Sequence, residues 1–91
     1  SVRRDLSLLL DRSISFESIR MAATQAERKL LREINLFDVY EGDKLPAGKK
    51  SYAVSFIFRD EEQTLNDKAI EKAMERIMRA VAESTGAELR S

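Results

Sequence analysis

An acid and a phenol occupy alternate positions of "LFDVYEG", namely Asp38 and Tyr40. Alternate residues of a strand point to one face, so this pair would present an ionised carboxylate beside an aromatic ring. A ring among short neighbours is a platform on which a flat base can lie, and stacking on tyrosine is nearly indifferent to which base it is. Discrimination needs hydrogen bonds. A carboxylate only accepts, so it suits a base edge with two adjacent donors; guanine has one, made of its ring imino proton and exocyclic amine. Uracil and adenine match it less well. Beyond the next loop, "GKKSYAVSFIF" places the hydroxyl of Ser51, which donates or accepts. Lys49, Lys50, Arg3, Arg4 and Lys44 are cations that could meet phosphates. The same residues also make an ordinary solvated surface, because single exposed aromatics and lysines at hairpins are common. Arg4 could equally sit at a strand end or beside a helix carboxylate. At the level of residues, both readings stand.

What else the chain can do is narrowed by composition. It has 91 residues, 16 basic and 16 acidic, with zero formal net charge and 43% hydrophobic residues, which suits one domain spanning 1–91 around one core. Zero net charge argues against strong nonspecific nucleic-acid binding, which draws on an excess of cations. There is no cysteine and no histidine, so thiolate and imidazole metal sites and Cys–His or Ser–His nucleophiles lack their parts. No cofactor is expected. Absent cysteine fits a reducing, cytoplasmic setting. No apolar run approaches the roughly 20 residues of a membrane span, so no membrane partner is expected. The opening "SVRRDL", without methionine and strand-like at once, reads as cut from a longer polypeptide.

The elements that must position Asp38, Tyr40 and Ser51 follow from periodicity. "VRRDLSLLL" alternates Val2, Leu6, Leu8 and Leu10 against Arg3, Asp5 and Ser7, a strand buried on one side. Ser15 then caps a helix over about 16–28 with Phe16, Ile19, Ala23 and Ala26 inward. A second strand covers about 31–41, with Phe37 and Val39 sharing the face opposite Asp38 and Tyr40. By strict alternation Ile34 and Leu36 fall on the Asp38 side, so either a bulge shifts the register near Leu36 or these two cover something else. Gly42, Pro46 and Gly48 mark a loop, and "KKSYAVSFIFR" forms a third strand, antiparallel to the second, with Tyr52, Val54, Phe56 and Phe58 on its bulky face. Asn66 caps a helix over 67–84 that buries Ile70, Ala73, Met74, Ile77 and Val81; Leu65 staples onto Ile70 and Gly86 stops it. "AELR" completes a short last strand. The order βαββαβ is the α+β, ferredoxin-like split βαβ: a four-stranded antiparallel sheet with two helices on one face. Leu6, Leu8, Leu10, Phe37, Val39, Tyr52, Val54, Phe56 and Phe58 are expected beneath the helices. Arg3, Asp5, Ser7, Asp38, Tyr40, Ser51, Ala53 and Ser55 are expected on the open face.

With "RRDL", "FDVYEG", "GKKS" and "TLND" in this order, and "TGAELR" near the end, the chain resembles over essentially its whole length the ferredoxin-fold anticodon-binding domain found at the C-terminus of the bacterial phenylalanyl-tRNA synthetase beta subunit. The resemblance implies a tRNA-binding module that grips the anticodon loop of phenylalanine tRNA, chiefly the guanine at its first position. By the same resemblance, Tyr40 stacks, Asp38 accepts from the guanine edge, Ser51 is a hydrogen-bonding neighbour, and Ser7 is a small residue at the site. It further implies no catalysis in the domain itself. ATP and Mg belong to the parent ligase, and the implied protein partners are the other beta-subunit domains and the alpha subunit of an α2β2 enzyme.

Fold alone does not decide function, because ferredoxin-like sheets serve many roles. A copper chaperone needs a cysteine pair, and an acylphosphatase needs a glycine-rich phosphate loop where this chain has "DRSIS". The principal rival is a structural docking module that uses the same open face on protein rather than RNA.

Overall fold

The computed structural model describes residues 1–62 and 64–90. In chain order it contains β1 (Val2–Asp11), α1 (Phe16–Ala26), β2 (Leu31–Tyr40), β3 (Lys49–Phe58), α2 (Asp67–Thr85) and β4 (Glu88–Leu89). The strands form one antiparallel sheet in the order β2-β3-β1-β4. This is the expected α+β arrangement. Leu8, Leu10, Val54, Phe56 and Phe58 of the sheet and Ile19, Ala23, Ile70, Ala73, Ile77 and Val81 of the helices are buried in a single core. One sheet face is consumed by that contact, and the other is left free of helices.

Local chemistry sets where each element stops. Ser15 Oγ accepts the Ser18 N–H at 3.2 Å and opens α1. α1 ends at Ala26, two residues before the expected boundary, because Glu27 leaves helical geometry (φ −140°). The Glu27 carboxylate turns inward, where it accepts the Leu30 N–H at 3.2 Å and pairs with Arg76 of α2. Asn66 caps α2 through its side chain, and Leu65 packs against the core that holds Ile70. Gly86 closes α2 at φ 76°, a left-handed geometry that glycine adopts without steric cost.

The register of β2 departs from simple alternation. Ile34 pairs with Phe56 and Leu36 with Val54, so both lie on the helix side and pack against the core. The next pair is Asp38 with Ala53, followed by Val39 with Tyr52 and Tyr40 with Ser51. Phe37 is therefore an extra residue with no partner on β3, a β-bulge, which resolves the parity conflict around Leu36 in favour of a register shift. The bulge also corrects the expected position of Phe37. It is not under the helices but 53% exposed, with the Arg3 guanidinium carbon 5.4 Å from its ring centroid. Arg3 pairs with Ile57 at the parity opposite Phe56, which places the Phe37 ring on the open face. Val39 keeps helix-side parity opposite Tyr52 yet is half-exposed, since β2 is an edge strand.

Candidate nucleic-acid interface

Two rows of residues run across the open face. In the first, Tyr40 of β2 faces Ser51 of β3, Ser51 faces Leu9 of β1, and Leu9 faces Glu88 of β4. In the second, Asp38 faces Ala53 and Ala53 faces Ser7, whose carbonyl accepts the Arg90 N–H at 2.8 Å. Neighbouring strands lie about 4.8 Å apart, so Asp38 and Ser7 sit about 10 Å from each other with only the methyl of Ala53 between them. Asp38, Tyr40, Ser51 and Ser7 thus share one face. The first three are mutual neighbours, and Ser7 lies at the far side of the row.

Arg90, which the residue-level reading did not select, completes the arrangement. Its guanidinium carbon lies 5.5 Å from the centroid of the Tyr40 ring, and its Nη1 donates a long hydrogen bond, 3.4 Å, to Ser51 Oγ. The side chain crosses β1 and β3, a path kept clear by Ser7 and Ala53. This explains why Ser51 is only 4% exposed on a face that no helix covers. A guanidinium is planar and stacks on aromatic faces, so its position over Tyr40 marks a place that fits a flat π-system. The sequence signal for Arg90 was faint. "AELR" gives only two residues of ladder, and its parity becomes readable only once Leu9 is seen opposite Glu88.

Gly42 sets the pose of the ring. A Cβ at this position would fall 2.4 Å from Tyr40 Oη and 2.6 Å from Tyr40 Cζ, so the phenol lies directly against the glycine backbone. With Tyr40 37% exposed, the ring is half supported and half presented. Asp38 is exposed and has no hydrogen-bond or ion-pair partner among the described residues, which leaves its acceptor oxygens for a ligand or for water.

The cations proposed for phosphate contact divide sharply. Lys50 pairs with Leu10 on the helix side, is 8% exposed, and donates from Nζ to Tyr52 Oη at 2.8 Å, so it does not reach the open face. Arg4 also points to the helix side, 3.6 Å from Asp67 at the start of α2. Lys49 is paired with Asp11 at 2.8 Å, and that hydrogen bond raises its pKa above the ordinary lysine value. Arg3 is on the open face, and Lys44 lies in the exposed loop between β2 and β3. The groove between the helices, about 380 Å³ and lined by Ala22, Gln25, Ala26, Ala80, Glu83 and Ser84, is on the other layer of the molecule.

A four-stranded antiparallel sheet with two helices on one face and the other face open defines a ferredoxin-like α+β domain. The chain belongs to the family of ferredoxin-fold anticodon binding domains, whose model matches residues 1–90. Among its curated relatives, the phenylalanine–tRNA ligase beta subunit of Bacteroides fragilis is 54% identical over 90 residues, covering 99% of this chain and 11% of the relative. The corresponding protein of Porphyromonas gingivalis is 57% identical over 89 residues, 98% of this chain and 11% of its own. That of Geobacillus kaustophilus is 41% identical over 90 residues, again 99% and 11%. The chain therefore spans about a tenth of the length of these relatives. No helix among the described residues is long and apolar enough to cross a membrane.

Proposed function

We propose that this domain recognises the anticodon of phenylalanine tRNA by taking its first base, guanine, onto the open face, as part of the beta subunit of a phenylalanine–tRNA ligase. In that role the ATP-dependent, magnesium-assisted chemistry lies with the alpha subunit and outside this chain, and the domain supplies only recognition. The observation that carries the reading is the convergence of Tyr40, Asp38, Ser51 and Arg90 on one helix-free surface. Family membership and the names of the relatives support RNA as the ligand class.

Each residue has a physical task. Tyr40 stacks on the base, an interaction of about 1–3 kcal/mol that any base would receive. Asp38 accepts from the imino and exocyclic amine donors of guanine, whereas an adenine edge would set an acceptor against the carboxylate. Arg90 is a pure donor and suits the O6 and N7 acceptors on the other side of the same base. Once Arg90 yields the ring to the base, an acceptor from Asp38 and a donor from Arg90 distinguish guanine without a cavity. Ser51 offers a hydroxyl near the ring, and Ser7 stays small so that Arg90 can lie across the sheet.

The test is an NMR titration of the domain, at low salt, with an anticodon stem-loop carrying guanine or adenine at the first anticodon position. Shifts should centre on Asp38, Tyr40, Ser51 and Arg90, and guanine should bind more tightly. Asp38→Asn should lose discrimination between the two loops more than it loses overall association. An Asp38→Asn domain that still prefers guanine as strongly as wild type would remove Asp38 from the mechanism. Shifts confined to the helical layer would remove the open face.

A further inference from the structure

The open face repeats its own design. Beside Tyr40, Ser51 and Arg90 lies a second set made of Phe37 on β2, Ser55 on β3 and Arg3 on β1. In both sets a ring from the edge strand is capped by a guanidinium from the far side of β3, and in both the β3 serine is only 4% exposed although no helix covers it. Arg3 is held in place by a fork to Asp5, with Nε donating to Oδ1 at 2.8 Å and Nη2 to Oδ2 at 3.3 Å. That pairing neutralises Asp5, while Glu33, opposite Ile57, and Asp38 keep their carboxylates on the same face. Asn35, opposite Ser55, is exposed and offers both a donor and an acceptor next to the ring.

We infer that Phe37 and Arg3 form a second stacking place, which receives a nucleotide flanking the one held at Tyr40. The inference rests on the RNA reading given above. Phe37 and Tyr40 are three residues apart on β2, which separates the two rings by about 10 Å along the strand. Bases stacked on each other lie about 3.4 Å apart, so the two rings cannot serve one continuous stack. They fit a loop whose bases are splayed and held singly, the usual mode for single-stranded RNA on a sheet. The Phe37 ring carries the Arg3 guanidinium against it and has Asn35 and Asp38 two residues and one residue away on the same face, and a ring in that polar setting fits the face of a base better than an apolar protein surface. The bulge is the device that makes this possible. With Leu36 on the helix side, an unbulged β2 would put Phe37 on the open face but send Asp38 and Tyr40 beneath the helices, and the extra residue brings all three to the open face together.

The experiment measures the affinity of the domain for the phenylalanine anticodon stem-loop, intact or with one abasic nucleotide placed in turn at each position flanking the first anticodon base. Phe37→Ala should weaken binding of the intact loop by about 5- to 150-fold, the range for losing one base–aromatic stack. Phe37→Leu keeps an apolar side chain and guards against a folding artefact; it should lose nearly as much. One abasic loop should bind wild type as weakly as the intact loop binds Phe37→Ala, and for that loop the substitution should cost no more. Intact-loop binding by Phe37→Leu at wild-type strength overturns the inference, as does a penalty that stays the same for every abasic loop. If Tyr40→Ala weakens the intact loop while both Phe37 variants bind normally, only the second stacking place fails. If neither Tyr40→Ala nor the Phe37 variants matter, the RNA reading of this face fails with it.

Discussion

Replacing Gly42 by alanine should damage ligand binding without damaging the fold. Gly42 is not among the residues with positive φ, so an alanine there meets no backbone strain, and a smaller unfolded ensemble would if anything favour the native state by about 0.4–1 kcal/mol. Its methyl, however, would lie 2.4 Å from Tyr40 Oη and 2.6 Å from Cζ, where ordinary contacts begin about 1 Å further out. The backbone at this loop is tied by the Leu45 N–H to Gly42 carbonyl hydrogen bond of 3.1 Å, so the phenol is the partner that must move. A ring swung aside loses its place under Arg90 and presents a different plane. The expected cost is most of a stacking interaction, about 1–3 kcal/mol, or about 5- to 150-fold in Kd for the anticodon stem-loop. Isothermal titration or fluorescence anisotropy gives the Kd, and thermal unfolding should show a midpoint no lower than wild type. A Gly42→Ala domain that binds at wild-type strength, beside a Tyr40→Ala domain that does not, would refute the claim that the packed pose of the ring is the binding pose.

Two further predictions concern stability. Glu27→Ala leaves the buried Leu30 N–H without its acceptor and frees a half-exposed Arg76, whose ion pair is worth little once water screens it. The unsatisfied N–H dominates at about 1–3 kcal/mol, which lowers the midpoint of thermal unfolding by roughly 5–20 °C; Glu27→Gln, which can still accept, should lose less. With pH, the Arg20 hydrogen bond lowers the Glu17 pKa, so that small contribution is present above the unfolded carboxylate value and is lost as pH falls through the folded one. Lys49 shifts the other way: its contribution is complete below the unfolded lysine value and is lost as pH rises through the folded one. With no histidine or cysteine between, urea midpoints should stay level from about pH 6 to 9 and decline outside that window, and a step near neutrality would contradict the assignment.

How far the residues announced this molecule depends on where each constraint resides. Alternation in β1 and β3 is imposed by a core on one side, so Leu8, Leu10, Val54 and Phe56 were readable from spacing alone. The same holds for the helix caps at Ser15 and Asn66, where the signal is a side chain within four residues. The bulge at Phe37 is different, because an unpaired residue is defined by its partner strand; spacing exposed the conflict at Leu36 but not which residue would be set aside. Lys50 stood at helix-side parity all along. Its charge suggested solvent, yet its aliphatic stem packs inward and its ammonium reaches the Tyr52 hydroxyl, where it also lies 4.6 Å from the ring centroid. Arg90 was beyond reach because a two-residue strand carries no parity of its own, and only pairing with β1 shows which way it faces.

That same brevity has a functional corollary. The guanidinium over Tyr40 rides on the most weakly fastened part of the sheet, joined to β1 by the short Leu8–Leu89 and Leu9–Glu88 register and one backbone bond at Ser7. Peeling this margin away breaks few bonds and leaves every core residue of β1 and β3 in place, so the cap can come off its ring at a small fraction of the cost of unfolding. Tyrosine and carboxylate belong to the long β2–β3 hairpin while the arginine rides on the short edge strand, and on the proposed reading a base would enter by displacing that arginine rather than by loosening the core.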